Sequence, residues 1–381
     1  MSSSCQRPAP LAIAQHFASL EDPRVVGRSI HPLLNILIMA LVGVFCGANG
    51  WEDMEEIALD KKDWLATFLD MSFGVPSADT FRRVLCAIRP ETLVACIQSW
   101  IQSLAKPLGG QVVAFDGKTI RGALLRNPWA QSLHLVHVWA CQQKLLLAQT
   151  AVRGAPEESE AVRRLLELME LRGAIATGDA AHCSVQTAAC ILGAGADYLL
   201  HLKGNRAALH KKVETFFFKA QREGFSPKMR HRRTCEKGHG RLETRETWTV
   251  PAEDLVLPGV TWPQLRSITL IRRTREIKGE QSVERHYFLS SLPPVARRIE
   301  ESVREHWQVE NGLHWSLDVQ MGEDECAVHD ELGAQNLASL RRLTLMMLKR
   351  DTRLKKGIEA KRAKAARNTE YLEHLITLGN G

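Results

Sequence analysis

His306–Asp324 reads HWQVENGLHWSLDVQMGED. From His306 to Val319 it holds no Pro and one Gly, Gly312, so it reads as a helix. Val309, Leu313 and Leu317 recur at four-residue spacing and make an apolar stripe. His306, Glu310, His314 and Asp318 recur at the same spacing and make a polar stripe on a neighbouring face. Two readings of that polar stripe stand: a structural zinc site or buried hydrogen-bond network, or one wall of a reactive site. The second needs acids from elsewhere. AFDGK around Asp116 and ATGDA around Asp179 supply them.

Both acids follow short apolar runs. QVVAFD and GAIATGD read as buried strands ending in an acid, and DYLLHLK as a third buried strand. Helical patterns lie between and after them, at Glu157–Leu171, Ser184–Leu192 and Ala207–Glu223. Such alternation predicts a layered α/β domain with parallel strands. HLVHVWACQQ and LLLAQTAV, joined around Gln143 and Lys144, predict a hairpin that makes the sheet mixed. In open α/β sheets functional groups gather at the carboxyl ends of strands. If the strands bearing Asp116 and Asp179 are neighbours, their carboxylates face one point and repel unless a cation lies between them. Hard oxygen ligands select Mg²⁺, with Mn²⁺ as a substitute. Glu310, from a helix packed on the sheet, would complete a two-metal site. Two metals about 3.5–4 Å apart can activate a water or hydroxyl at a phosphodiester and stabilise the leaving oxygen. The three acids therefore predict phosphoryl transfer on nucleic acid. Gly117-Lys118-Thr119 is not a phosphate loop, because Val112 stands where the first Gly is required. No H-E-x-x-H is present, so metalloprotease chemistry has no support.

The flanks read differently. Residues 1–105 are mostly helical: Leu11–Leu20, a buried helix from Pro32 to Cys46, an amphipathic stretch Trp51–Leu69, a helix capped by Ser77, and one from Pro90 to Ala105. The Ser77-capped helix carries Arg82 and Arg83. It is read either as the recognition helix of a helix-turn-helix or as an ordinary surface helix. KPLGG at Lys106–Gly110 marks the domain boundary. Residues 228–291 break the α/β alternation with strand-like, Arg-rich runs and read as a basic β insertion. Ala334–Lys349 is a last apolar helix. From Lys349 to Arg367 nine Lys and Arg face two acids, which predicts a solvated or partly disordered basic tail. The net charge of +7 favours a polyanionic partner. Nine dispersed Cys without a C-x-x-C pair suit a reducing, cytoplasmic setting. Ser29–Trp51 carries no Lys, Arg, Asp or Glu, but its apolar part is only Leu33–Cys46, which favours a buried helix over a membrane span.

Taken in order, DPR (Asp22–Arg24), HPL (His31–Leu33), PSADTFRR (Pro76–Arg83), FDGKTIRG (Phe115–Gly122), TGDAAHC (Thr177–Cys183), DYLLHLKGN (Asp197–Asn205), HGRLETR (His239–Arg245), YFLSSL (Tyr287–Leu292) and HWQVENGLHWSLDVQMGED make a series. Through that series the chain resembles the H-repeat-associated insertion-sequence transposases of the DDE (Asp-Asp-Glu) superfamily, from about Phe17 to Lys349. The resemblance implies an α/β fold: an RNase H-like mixed sheet with flanking helices and a β-rich insertion, preceded by an all-α N-terminal domain. It implies residues 1–105 for DNA binding or dimerisation, 111–350 for catalysis with the insertion at about 228–291, and 351–381 as the basic tail. Asp116, Asp179 and Glu310 match the three acids, as catalytic residues and as ligands of Mg²⁺. The Tyr, Arg and Lys that usually surround the Glu are replaced by Val303, His306 and Leu317. His306 is then expected in the Arg role, contacting a phosphate or fixing Glu310, and His314 is the candidate for the DNA contact of the missing Lys. Relatives tend to carry Lys-Ser-Asn-Glu where this chain has APEE ending at Glu158. Lys118, Arg121 and Lys203 near the same sheet edge are expected to hold phosphates. Partners implied are the element's terminal repeats, target DNA and a second copy of the chain, at the nucleoid and away from membranes. A catalytically silent DNA-binding remnant and a nuclease that never joins strands are the competing readings.

Overall fold

The computed structural model describes residues 12–378, apart from 26, 28, 121–132, 227–228, 239–240, 256–260 and 327. Six helices come first: α1 (Ala12–Phe17), α2 (Leu33–Cys46), α3 (Trp51–Asp60), α4 (Lys62–Leu65), α5 (Ala78–Ala87) and α6 (Pro90–Leu104). Ser77 caps α5 by accepting from the Thr80 N–H. Then follow β1 (Val112–Ile120), β2 (Leu133–Ala140), β3 (Leu145–Val152), α7 (Ala155–Glu167), β4 (Ile175–Gly178), α8 (Val185–Gly193), β5 (Asp197–Leu202) and α9 (Ala207–Arg222). Four long strands follow, β6 (Arg230–Gly238), β7 (Arg241–Pro251), β8 (Ser267–Ile277) and β9 (Glu280–Ser290). The chain ends with α10 (Ala296–His306), α11 (Glu331–Arg350), α12 (Ile358–Arg367) and α13 (Thr369–Ile376). Among the described residues no single helix is long and apolar enough to cross a membrane.

The strands form one nine-stranded mixed sheet in the order β3-β2-β1-β4-β5-β9-β8-β7-β6. β4 runs parallel to both β1 and β5, and the remaining pairs are antiparallel. The strand-rich stretch expected as an insertion is therefore a four-stranded meander that prolongs the same sheet, joined through β5 and β9. QVVAFD does not end at its acid. β1 continues to Ile120, paired with β2, while β4 stops at Gly178 beside Phe115. Asp116 thus lies beside the end of its neighbour rather than at its own strand's end.

Side chains alternate across the two faces, as a pleated strand requires. Val112 and Ala114 enter a core shared with α2, α5, α6 and α11, so the N-terminal helices and one sheet face bury a common apolar cluster. Val113 and Phe115 enter the opposite core, with Val162, Ile191 and Val213 from α7, α8 and α9.

Two further expectations differ from the structure. The helix through Val319 is α-wound only to His306; from Val309 to His314 and from Ser316 to Gln320 it is π-wound. The N–H groups of Trp315 and Met321 reach back five residues, to Glu310 and Ser316. The wider winding keeps Val309, Leu313, Leu317 and Met321 all buried. Such windings are rare and recur at functional sites. The basic tail is solvated only in part: Arg353, Lys355, Lys356, Lys364 and Arg367 are exposed, while Ala365 and, beyond the basic stretch, Tyr371, Leu372, Leu375 and Ile376 are buried in the N-terminal core. Lys361 is buried too, its ammonium donating to the Leu348 and Asp351 carbonyls. Charge counting missed this because the basic residues lie among small and apolar positions that pack inward. Leu372→Ala should therefore cost about 2–5 kcal/mol in a denaturant titration. A loss within about 0.5 kcal/mol, normal for surface sites, would contradict the packing.

Candidate active site

β1 and β4 pair in parallel register through Phe115 and Gly178. Asp116 and Asp179 are the next residue of each, so they leave adjacent strands side by side on one face. A Cβ on Gly178 would stand 2.1 Å from the Phe115 ring, so only glycine lets the two strand ends approach this way. The Gly117 N–H donates to Asp116 Oδ1 at 2.9 Å, and the Ala181 N–H donates to Asp179 Oδ1 at 2.9 Å. Burial, then the charges of Asp179 and Glu158, push the Asp116 carboxyl up to about 7. Crowded hard oxygens of this kind fit a divalent cation such as Mg²⁺ or Mn²⁺.

Glu310 projects from the π-wound segment and is exposed. Burial raises its carboxyl, Lys203 and Arg273 lower it, and Asp179 raises it, so the acid and both cations lie within electrostatic reach. Among the described residues, no three His, Cys, Asp or Glu side chains converge closely enough to hold a metal as the chain stands. Glu310 also lines a cavity of about 500 Å³ together with Trp307 and five arginines, Arg241, Arg245, Arg273, Arg275 and Arg304. Four of those arginines come from the meander and Arg304 from α10, and each pairs with a glutamate, Glu236, Glu243 or Glu284, which offsets part of the positive charge beside the third acid.

The other expected residues divide. Lys203 is exposed at the end of β5, beside Glu310 in electrostatic terms. His306 is held down to about 4 by burial and hydrogen-bonds Thr177 Oγ1 at 2.9 Å. Neutral near pH 7, it does not replace an Arg cation; it fastens the segment to β4 two residues before Asp179. His314 is half-buried, and desolvation holds it down to about 3. Its Nδ1 lies 3.6 Å from Asp116 Oδ2, so it faces the acid rather than the surface. Lys118 is only 7% exposed and is ion-paired to Asp318, with Asp324 at 3.5 Å and Glu323 at 3.9 Å. The expected phosphate contact is taken by three carboxylates. Arg82 and Arg83 are exposed on α5 and both pair with Asp79, at 2.6 and 2.7 Å, which spends part of their charge within the helix. Arg121 lies outside the described residues.

A buried network missed in the sequence reading braces this arrangement. Arg342 of α11 grips Glu323 at 2.5 Å and donates to His137 Nε2 of β2 at 2.8 Å. The only sequence signal was the acid-rich end of QMGEDE, which shows charge without showing its partner.

An acid pair on adjacent parallel strands, a third acid from the π-wound segment beside the sheet, and an arginine-rich meander make up the candidate site of this mixed α/β fold. The chain belongs to the family described as "Transposase DDE domain", which residues 107–347 match, while residues 14–101 match the description "DDE_Tnp_1-associated". It is similar to the "H repeat-associated putative transposase YhhI" of Escherichia coli (strain K12), 30% identical over 375 residues, 97% of this chain and 98% of the relative. It is 36% identical over 279 residues, 72% of this chain and 92% of the relative, to the "Uncharacterized protein in dhlA 3'region" of Xanthobacter autotrophicus. A 73-residue stretch, 19% of this chain and 87% of the relative, is 33% identical to the "Inactive transposase YbfQ" of Escherichia coli (strain K12).

Three outcomes follow. A proton must leave Asp116 before a cation takes its oxygen, so Mn²⁺ affinity should fall below pH 7 by up to about tenfold per pH unit. In the cation-free protein the same raised carboxyl binds a proton that the unfolded chain releases. Stability should therefore decline as pH rises from the ordinary 3.8 to about 7. Free Mn²⁺ measured by paramagnetic resonance at pH 6, 7 and 8 checks the first point, and a pH-independent affinity would exclude it. Lys118→Met should cost about 1–3 kcal/mol of stability by taking the ammonium from the half-buried Asp318, with duplex affinity near wild type. The reverse pattern would restore the phosphate role.

Proposed function

We propose that this chain is an insertion-sequence transposase. It cuts phosphodiesters at its element's ends and joins the freed 3′-hydroxyl to target DNA. The observation that carries the reading is the in-register placement of Asp116 and Asp179 beside each other, with Glu310 within electrostatic reach of Asp179. We read the order β3-β2-β1-β4-β5, with β4 and β5 parallel to β1, as an RNase H-like sheet. The two Asp and Glu310 would hold Mg²⁺ or Mn²⁺. Such ions, when bound, activate the attacking oxygen and stabilise the leaving one.

The protein's own residues do the rest. Lys203 neutralises a phosphate oxygen beside Glu310, and the arginines of the cavity attract the backbone through charge. His306 fixes the segment to β4, and His314 shields Asp116 from water. Catalysis is then mainly positioning and charge stabilisation. Residues 1–105, with Arg82 and Arg83, are read as the part that recognises element ends, with 111–350 as the catalytic part. Two ends must meet, so a second copy on DNA is part of the reading, in the bacterial cytoplasm at the nucleoid.

Incubation with Mn²⁺ and a duplex carrying the DNA that flanks its own gene tests the proposal. Asp116→Asn, Asp179→Asn and Glu310→Gln should each lower nicking by about a thousandfold or more, with duplex affinity within about threefold of wild type. A folded single variant that nicks at the wild-type rate would remove that acid from the assignment. Absence of nicking by the wild type on paired ends would favour a silent DNA-binding remnant. Nicks without joined products would indicate a nuclease.

A further inference from the structure

The face opposite the acids holds a second cluster. Glu158, in the first turn of α7, is 8% exposed, and its two neighbours His134 and His182 are 6% and 0% exposed. Each carboxylate oxygen takes one histidine: Oε2 lies 2.8 Å from His134 Nε2, and Oε1 lies 2.8 Å from His182 Nε2. The far side of the His134 ring meets Thr119 Oγ1 of β1 at 2.8 Å. The far side of the His182 ring meets Ser159 Oγ at 3.4 Å, and the ring stands edge-on to Phe115.

Gly117, next to Asp116, shows that this contact is built in. A Cβ there would stand 2.4 Å from both the Glu158 carboxylate and the His134 ring. The bare backbone of β1 is what admits the bridge. At the other end, His182 closes the short turn that Asp179 caps, and its Nε2 is 3.8 Å from Asp179 Oδ1. One buried carboxylate thus links β1, through His134 and Thr119, to the turn that carries Asp179.

We propose that Glu158 is a positioning residue of the acid site. By bridging His134 and His182 it holds the Asp179 turn against β1, so that Asp179 stays beside Asp116 while a divalent cation binds. The proposal rests on the metal-dependent reading above. A carboxylate suits the place because two ring N–H groups point at it. A glutamine has one acceptor oxygen and sets an N–H₂ against the second ring. Groups that orient ligands in this way typically change metal affinity by about 10–100-fold when altered.

The full-length wild type, Glu158→Gln and His182→Asn would be compared by Mn²⁺ titration without DNA, by thermal melting, and by nicking of the flanking-DNA duplex. Glu158→Gln is expected to melt within a few degrees of wild type and to bind duplex equally, yet to bind Mn²⁺ and nick on the order of tenfold more weakly. His182→Asn, which leaves the His134 contact in place, should reproduce the Mn²⁺ loss. The double variant should lose little beyond either single one, because both changes break the same bridge. Wild-type Mn²⁺ affinity in a folded Glu158→Gln overturns the proposal. If that variant does not fold, wild-type Mn²⁺ affinity in folded His182→Asn overturns it equally. So does a loss that disappears once the variants are assayed at equal distance below their melting points. If the wild type binds Mn²⁺ but never nicks, the transposase reading fails while the Mn²⁺ comparison still decides the role of Glu158.

Discussion

The parallel pairing of β1 with β4 sets the terms for the rest of the molecule. It brings Asp116 and Asp179 out on the same face at neighbouring positions, where their charges oppose each other. A fold that served only stability would not keep two carboxylates there, since the Asp179 charge raises the cost of ionising Asp116. Gly178 is needed for the strand ends to close over Phe115, and Gly117 for the bridge behind them. Both glycines sit where a side chain would push apart the pieces that hold the acids.

The segment bearing Glu310 is pinned on either side of that acid. His306 binds Thr177 of β4 before it, and Asp318 binds Lys118 of β1 after it. Between those anchors the chain is π-wound, and Glu310 points out toward the arginine-lined cavity while His314 turns in toward Asp116. Buried ion pairs such as Arg342–Glu323 contribute little net stability by themselves, because desolvation offsets much of their attraction. Their effect is registry: a slipped segment would strand Lys118 or Glu323 without a partner.

Several of these parts were legible in the sequence because they obey local rules. Ser77 caps α5 through its own side chain, and Pro32 and Gly47 bracket α2. The acids after VVAF and ATG were visible because apolar runs end there. Lys118 was misjudged for the opposite reason. A Lys near the sheet edge that carries the acids looks free for phosphate, and its partner Asp318 lies 200 residues away in the chain. The tail was misjudged because counting charges ignores which side of a short helix carries them; Ala365 and Leu372 face inward.

By itself the sequence determined most of the element types and the mixed α/β class, since periodicity, caps and turn residues act over a few positions, and it singled out Asp116, Asp179 and Glu310 as candidates. Only the tertiary structure decided which strands are neighbours, and hence that Asp116 and Asp179 meet. It also decided that Lys118 pairs with Asp318 and His306 with Thr177, and that Glu158 stands behind the acids. Those outcomes depend on side chains far apart along the chain competing for one buried place, where an unpaired charge is costly and a paired one is tolerated.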